Sequence, residues 1–194
     1  MKKLSVLLLA ICLFVSCNNK DIDIDKALGK NRYKFAETNL SAIEVLSSAE
    51  LWQCVNFCFY TKPDGKGKKM DPSKYDGFSV PRYAFTSDTM TSYLFVSSIP
   101  YRYYVEHPLE ILDDNMFLYN DIYFDDVYVK ILDYDEEVVY IETNGYRSFS
   151  PDDDIEYGYA RMYLKRSKFY YGEKDTYHTY EEYLKYKQEK IIDS

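Results

Sequence analysis

Two histidines in 194 residues leave little material for acid-base or metal chemistry. His107 stands before Pro108 and His178 before Thr179, so neither belongs to the H-x-x-x-H or H-E-x-x-H spacing that would grip zinc. No G-x-S-x-G, P-loop or G-x-G-x-x-G segment occurs, which removes the usual nucleophile elbow and phosphate cradles. Positive charge is also short: the formal net charge is -8, and loss of Lys2 and Lys3 with an N-terminal signal would make it -10. Such an acidic chain is repelled by nucleic acid and by anionic headgroups, so no nucleic-acid partner is expected. No catalytic residue, metal ligand or cofactor is assigned, and an enzyme is not expected.

What is present begins at the N-terminus. Lys2 and Lys3 form a positive n-region, Leu4 to Val15 an apolar h-region, and Ser16 a small residue before Cys17. The h-region is shorter than the ~20 residues that cross a bilayer as a helix. Phe14-Val15-Ser16-Cys17 resembles the lipobox of bacterial lipoproteins. That resemblance implies a signal peptide over 1–16, cleavage, and acylation of Cys17 by a diacylglycerol and an amide-linked chain such as palmitate. Each buried CH₂ contributes ~0.8 kcal/mol, enough in sum to hold a domain at a membrane without a spanning helix. Residues 17–38 then read as a lipidated flexible tether. Lys20 followed by acidic residues resembles the export signal of Bacteroides-group surface lipoproteins, and Asn18 replaces the aspartate that retains lipoproteins in the inner membrane of enteric bacteria. The expected location is the outer membrane, facing periplasm or cell surface, with the membrane as partner through the lipid.

Removal of the signal leaves about 178 residues, suited to one domain. Of four cysteines, Cys12 leaves with the signal and Cys17 takes the lipid. If Leu51 to Tyr60 is a strand, Cys54 and Cys58 lie ~13 Å apart, beyond disulfide reach, and two free thiols are expected. Acidic clusters at Asp113-Asp114, Asp125-Asp126, Asp135-Glu136-Glu137 and Asp152-Asp153-Asp154 read as solvated turns. The Asp21/Asp23/Asp25 spacing imitates an EF-hand start, but Lys26 and Arg32 occupy the positions of its glycine and closing glutamate.

Tyrosine is the outlier, with 23 against 11 phenylalanines and one tryptophan. A ring that buries area while its hydroxyl tolerates water suits half-buried strands. Eight short runs rich in Tyr, Phe, Val and Ile lie between turn signals: 51–60, 82–85, 89–96, 101–105, 116–119, 127–132, 137–143 and 156–165. Lys62-Pro63-Asp64-Gly65 and Asn144-Gly145 read as turns. Alternation points Val127, Val129 and Ile131 to one face, Val139 and Ile141 to the same face, and Tyr128 and Tyr140 to the other. In the last strand Ala160, Met162 and Leu164 face inward while Tyr159, Arg161, Tyr163 and Lys165 face out. A short helix is expected within Asn39 to Ala49, and a second after a Thr179/Glu182 capping box, packed against the outside of the sheet.

The sequence pattern predicts a mainly β fold, an antiparallel up-and-down barrel with a short N-terminal helix and a C-terminal helix. Trp52 on the opening strand and Arg161 on the closing strand resemble the lipocalin-like (calycin-type) lipoproteins of Bacteroidetes. The resemblance implies a barrel domain over 39–166, a helical extension over 167–194, and a structural cation-π pair between Trp52 and Arg161. The expected function is non-enzymatic: a lipid-anchored protein holding a small apolar or amphipathic ligand in or at the barrel. The alternative is an outer-membrane accessory module, with surface tyrosines such as Tyr128 and Tyr140 contacting a glycan or an outer-membrane protein.

Overall fold

A capping box starts the first helix. Ser41 Oγ accepts from the Glu44 backbone N–H, and the Glu44 carboxylate accepts from the Ser41 N–H at 2.7 Å, so donors that a helix start leaves orphaned are satisfied reciprocally. Helix α1 is Ala42–Ser47, and it buries Ala42, Val45 and Leu46. The computed structural model describes residues 33–66, 69–70, 82–96, 101–121, 125–148 and 156–192. The N-terminal signal, Cys17 and most of the tether that follows it, and Asp152-Asp153-Asp154 lie outside these residues. The chain divides into two units, Met1–Lys34 and Phe35–Ser194. Of the first, Tyr33 and Lys34 are described and carry no regular secondary structure; all that follows concerns the second.

Ten longer or shorter strands follow α1: β1 (Leu51–Tyr60), β2 (Lys69–Met70), β3 (Arg82–Phe85), β4 (Thr89–Val96), β5 (Tyr101–Pro108), β6 (Glu110–Asp113), β7 (Met116–Tyr119), β8 (Val127–Tyr134), β9 (Val138–Ser148) and β10 (Glu156–Ser167). Strand β11 (His178–Thr179) and helix α2 (Tyr180–Ile192) complete the described chain. They form one sheet in the order β11-β5-β4-β3-β1-β10-β9-β8-β7-β6, with β2 beside β1. Apart from the parallel β11–β5 pair, every pairing is antiparallel. The fold is mainly β, up-and-down and barrel-like. Strand β1 pairs with both β3 and β10 in the middle of the ladder, while β6 at one end and β5, next to the terminal β11 at the other, are joined in sequence through Leu109 alone.

Register explains the faces. Cys54 pairs with Leu164, Phe57 with Met162 and Phe59 with Ala160, all inward. A bulge at Val55 shifts the parity of β1, so Cys54 points inward and Cys58, opposite Arg161, points outward. Both thiols are free, and burial pushes the Cys54 thiol up to about 12, which keeps it protonated and inert. Between β8 and β9 the connection is Asp135-Glu136-Glu137; next to it Tyr134 pairs with Val139 and Asp133 with Tyr140, and a bulge at Leu132 restores the register that sets Ile131 opposite Ile141. The Asp135 carboxylate ties this turn by accepting from the N–H groups of Glu137 and Val138 at 2.9 and 2.8 Å.

Two local expectations are corrected. Asn144-Gly145 is not a turn; Thr143 pairs with Ala160 and Tyr146 with Gly158, so both residues sit within β9 opposite Tyr159 as a bulge. Helix α2 does have the Thr179/Glu182 capping box, but it does not pack on the outer pleat. Tyr183 stacks on Tyr103 at 4.4 Å and Tyr186 on Tyr101 at 4.6 Å. Tyr101 and Tyr103 share the parity of His107, whose partner Met90 lines the interior. The helix therefore covers the inward pleat of β5 where that strand runs past the interior. Tyrosines spaced i, i+3, i+6 on the helix meet tyrosines spaced i, i+2 on the strand.

Candidate functional site

The interior is the first candidate. Leu46 of α1, Tyr83 and Phe85 of β3, Met90 of β4, Phe117 and Tyr119 of β7, Val129 of β8, Ile141 and Thr143 of β9, and Met162 and Leu164 of β10 surround one apolar cavity. Alternation on six strands brings them together, and α1 supplies Leu46 from one end. The lining is nearly free of polar groups: the Thr143 hydroxyl is spent on the Asn144 carbonyl at 3.0 Å. Phe85 and Phe117 meet edge-on at 6.0 Å and fill much of the space. About 10 Å³ remains open, room for a single water. A ligand larger than that enters only by displacing side chains, and Met90 and Met162 are unbranched chains with several rotamers available for such repacking.

The ladder does not continue across the junction of β5 and β6, where His107 pairs in register with the cavity-lining Met90. His107 bridges the gap there. Its ring lies 5.0 Å from that of Tyr119, and Nδ1 is 3.0 Å from the Asn120 carbonyl oxygen, a geometry in which Nδ1 carries the proton and donates.

Trp52 is fully buried, and its indole Nε1–H donates to the Leu46 carbonyl at 2.8 Å. The cation over it is Arg166, not Arg161: the Arg166 guanidinium carbon lies 5.8 Å from the indole. Register decides this, since Arg166 is the β10 residue opposite Trp52 and has the inward parity of Leu164. Arg161 lies five residues away on the outer pleat. Its Nε donates to the Glu142 carboxylate at 2.8 Å, and Glu142 is 1 % exposed.

That ion pair organises the outer face of β8, β9 and β10. The Tyr128 hydroxyl donates to Glu142 at 3.2 Å, and burial together with the neighbouring carboxylate pushes this phenol well above its ordinary range. Tyr60 places its ring 6.0 Å from the Arg161 guanidinium. The loop after β1 folds over the pair, with Asp64 ion-paired to Lys130 at 3.3 Å and Gly65 against the guanidinium. Tyr140 stacks nearly parallel on Tyr163 at 4.3 Å. The two tyrosines expected to contact a glycan are thus engaged: Tyr128 with Glu142, and one face of Tyr140 with another ring. Their arrangement is that of a buried polar network and its aromatic cover.

Among the described residues no cluster of three His, Cys, Asp or Glu side chains is placed to hold a metal ion. No helix among them is long and apolar enough to cross a membrane.

No family model and no curated protein matches the sequence. Solved structures similar to this chain include bovine odorant-binding protein complexed with its natural ligand, at 15 % identity over 81 % of this chain and 88 % of that one, with a TM-score of 0.40. The complex of bovine odorant-binding protein with undecanal aligns at 14 % identity over the same shares with a TM-score of 0.41. The odorant-binding protein from bovine nasal mucosa aligns at 15 % identity, again over 81 % and 88 %, with a TM-score of 0.40.

Proposed function

We propose that this chain is an exported, non-enzymatic binding protein, acylated at Cys17 and held at the outer membrane, that takes a small apolar molecule into its barrel-like interior. One observation carries the reading: side chains from α1 and six strands converge on one apolar cavity, a surface that buries hydrocarbon at ~25 cal/mol per Å². With the open volume this small, the ligand is thin or compact, and its entry is coupled to rotation of Phe85, Phe117 and the two methionines. The junction of β5 and β6 is the route that breaks fewest backbone hydrogen bonds.

Native mass spectrometry of the Cys17→Ser chain, purified from the soluble fraction without detergent, tests both parts. The reading expects release from the membrane together with co-purified mass in the range of a small apolar molecule, or 1:1 uptake of an added one. Membrane retention of Cys17→Ser would remove the anchor. A domain that stays empty against a series of alkanals and fatty acids would remove the ligand.

A further inference from the structure

Tyr170 and Tyr171 are 82 % and 108 % exposed, whereas Tyr101, Tyr103, Tyr140, Tyr163, Tyr183 and Tyr186 are stacked on other rings. Two neighbouring bare rings are costly to leave in water, and the backbone beneath them is fixed. The Glu173 N–H donates to the Tyr170 carbonyl at 2.9 Å, closing a turn whose third residue, Gly172, has φ of +72°. The Glu173 carboxylate accepts from the Tyr170 N–H at 2.9 Å and from Arg82 at 2.6 Å. On the near side Phe169 is buried edge-on against Tyr93 at 4.9 Å, beneath the Arg82 guanidinium at 5.2 Å. The turn is clamped to β3 and β4, and only its two rings project.

We infer that the Tyr170-Tyr171 turn is a carbohydrate-contact site, taking the apolar C–H faces of a neutral hexopyranose chain on ring faces that no neighbour occupies. Tyrosine suits this role because a rigid two-torsion side chain loses little entropy on contact. A protein partner fits less well. Its patch would need ~800 Å² with an apolar centre, while the exposed neighbours of the two rings in sequence, Lys168, Gly172, Lys174, Asp175 and Thr176, supply no branched aliphatic or aromatic side chain. Those same polar neighbours suit hydroxyl groups. The net charge of -8 disfavours a polyanionic glycan. The inference is independent of the interior ligand, since neither the turn nor the residues that clamp it line the cavity.

Affinity electrophoresis and calorimetry of the Cys17→Ser chain against neutral glucans, mannans and galactans test it. Saturable binding to at least one polysaccharide is expected. The Tyr170→Ala/Tyr171→Ala double variant should weaken it by about tenfold or more, a loss of some 1.4 kcal/mol, with an unchanged melting temperature. Tyr170→Phe/Tyr171→Phe should retain it, because the ring and not the hydroxyl makes the contact. Binding to no member of the panel, binding that survives the double alanine variant, or loss of binding only in variants that unfold would each overturn the assignment, as would saturable capture of a defined outer-membrane protein through these rings in place of a glycan.

Discussion

The Arg166 guanidinium covers Trp52 from 5.8 Å while donating to three oxygens at the base of the fold: the Glu136 carbonyl at 2.7 Å, the Ser48 carbonyl at 3.3 Å and the Ser48 hydroxyl at 2.5 Å. One side chain thereby ties the β8–β9 turn, the end of α1 and the start of β1 together. Arg166→Ala should cost about 1–3 kcal/mol by chemical denaturation. Arg166→Lys should recover only part of this, because an ammonium cannot spread across three acceptors in one plane. Trp52 is the single tryptophan, so its emission reports this end directly and should shift red in Arg166→Ala.

The Arg161–Glu142 pair is asymmetric, with side chains 21 % and 1 % exposed. Arg161→Met strands a carboxylate that has no route to water and should cost ~3–5 kcal/mol. Glu142→Gln leaves an arginine that can turn outward, and should cost clearly less. Denaturation midpoints in the reverse order would mean that Glu142 finds solvent.

Gly65 and Gly172 separate two effects of a glycine. Both have positive φ, +62° and +72°, but a Cβ on Gly65 would lie 2.6 Å from Arg161 Nη1, whereas nothing lies within 4 Å at Gly172. Gly172→Ala should cost the backbone term alone, ~1 kcal/mol. Gly65→Ala should cost more and also disturb the Arg161–Glu142 pair, visible as a non-additive double-mutant cycle with Arg161→Met.

The Arg82–Glu173 pair gives a pH signature. Burial acts to raise the Glu173 pKa, but hydrogen bonds from Arg82 and the Tyr170 N–H outweigh it and hold the carboxyl below its usual range. A depressed carboxylate contributes stability that is fully present above the unfolded pKa, near 4.5, and is lost as pH falls through the lower folded value. Acid titration should loosen the Tyr170–Glu173 turn in that window, and Glu173→Gln should remove the dependence.

Much of the strand layout was legible because period-2 alternation is strong in a sheet with one dry face. The bounds of β1, β3, β4 and β7 match the expected runs residue for residue. The same alternation contained the answer for the arginine: Arg166 has the inward parity of Met162 and Leu164, and Arg161 does not. A pairing taken from resemblance overrode it. Strand β6 was missed because all four residues are exposed and carry no alternation. The bulge in β9 was misread because Asn-Gly favours a turn locally, while pairing with β10 at Thr143 and again at Tyr146 holds the chain extended. The outward tyrosines were placed on the correct face, but their mutual stacking depends on cross-strand neighbours that alternation alone does not give.

The central claim is an apolar ligand inside the fold, and the most direct measurement is a titration of the Cys17→Ser chain with an environment-sensitive fatty acid probe, followed by its emission and by energy transfer from Trp52. The account predicts saturable 1:1 binding with transfer from Trp52, weakened by Thr143→Leu, which fills the cavity without adding charge, and unaffected by Tyr170→Ala/Tyr171→Ala. Probe binding without transfer from Trp52, or with full affinity in Thr143→Leu, would place the ligand outside the interior and contradict the account.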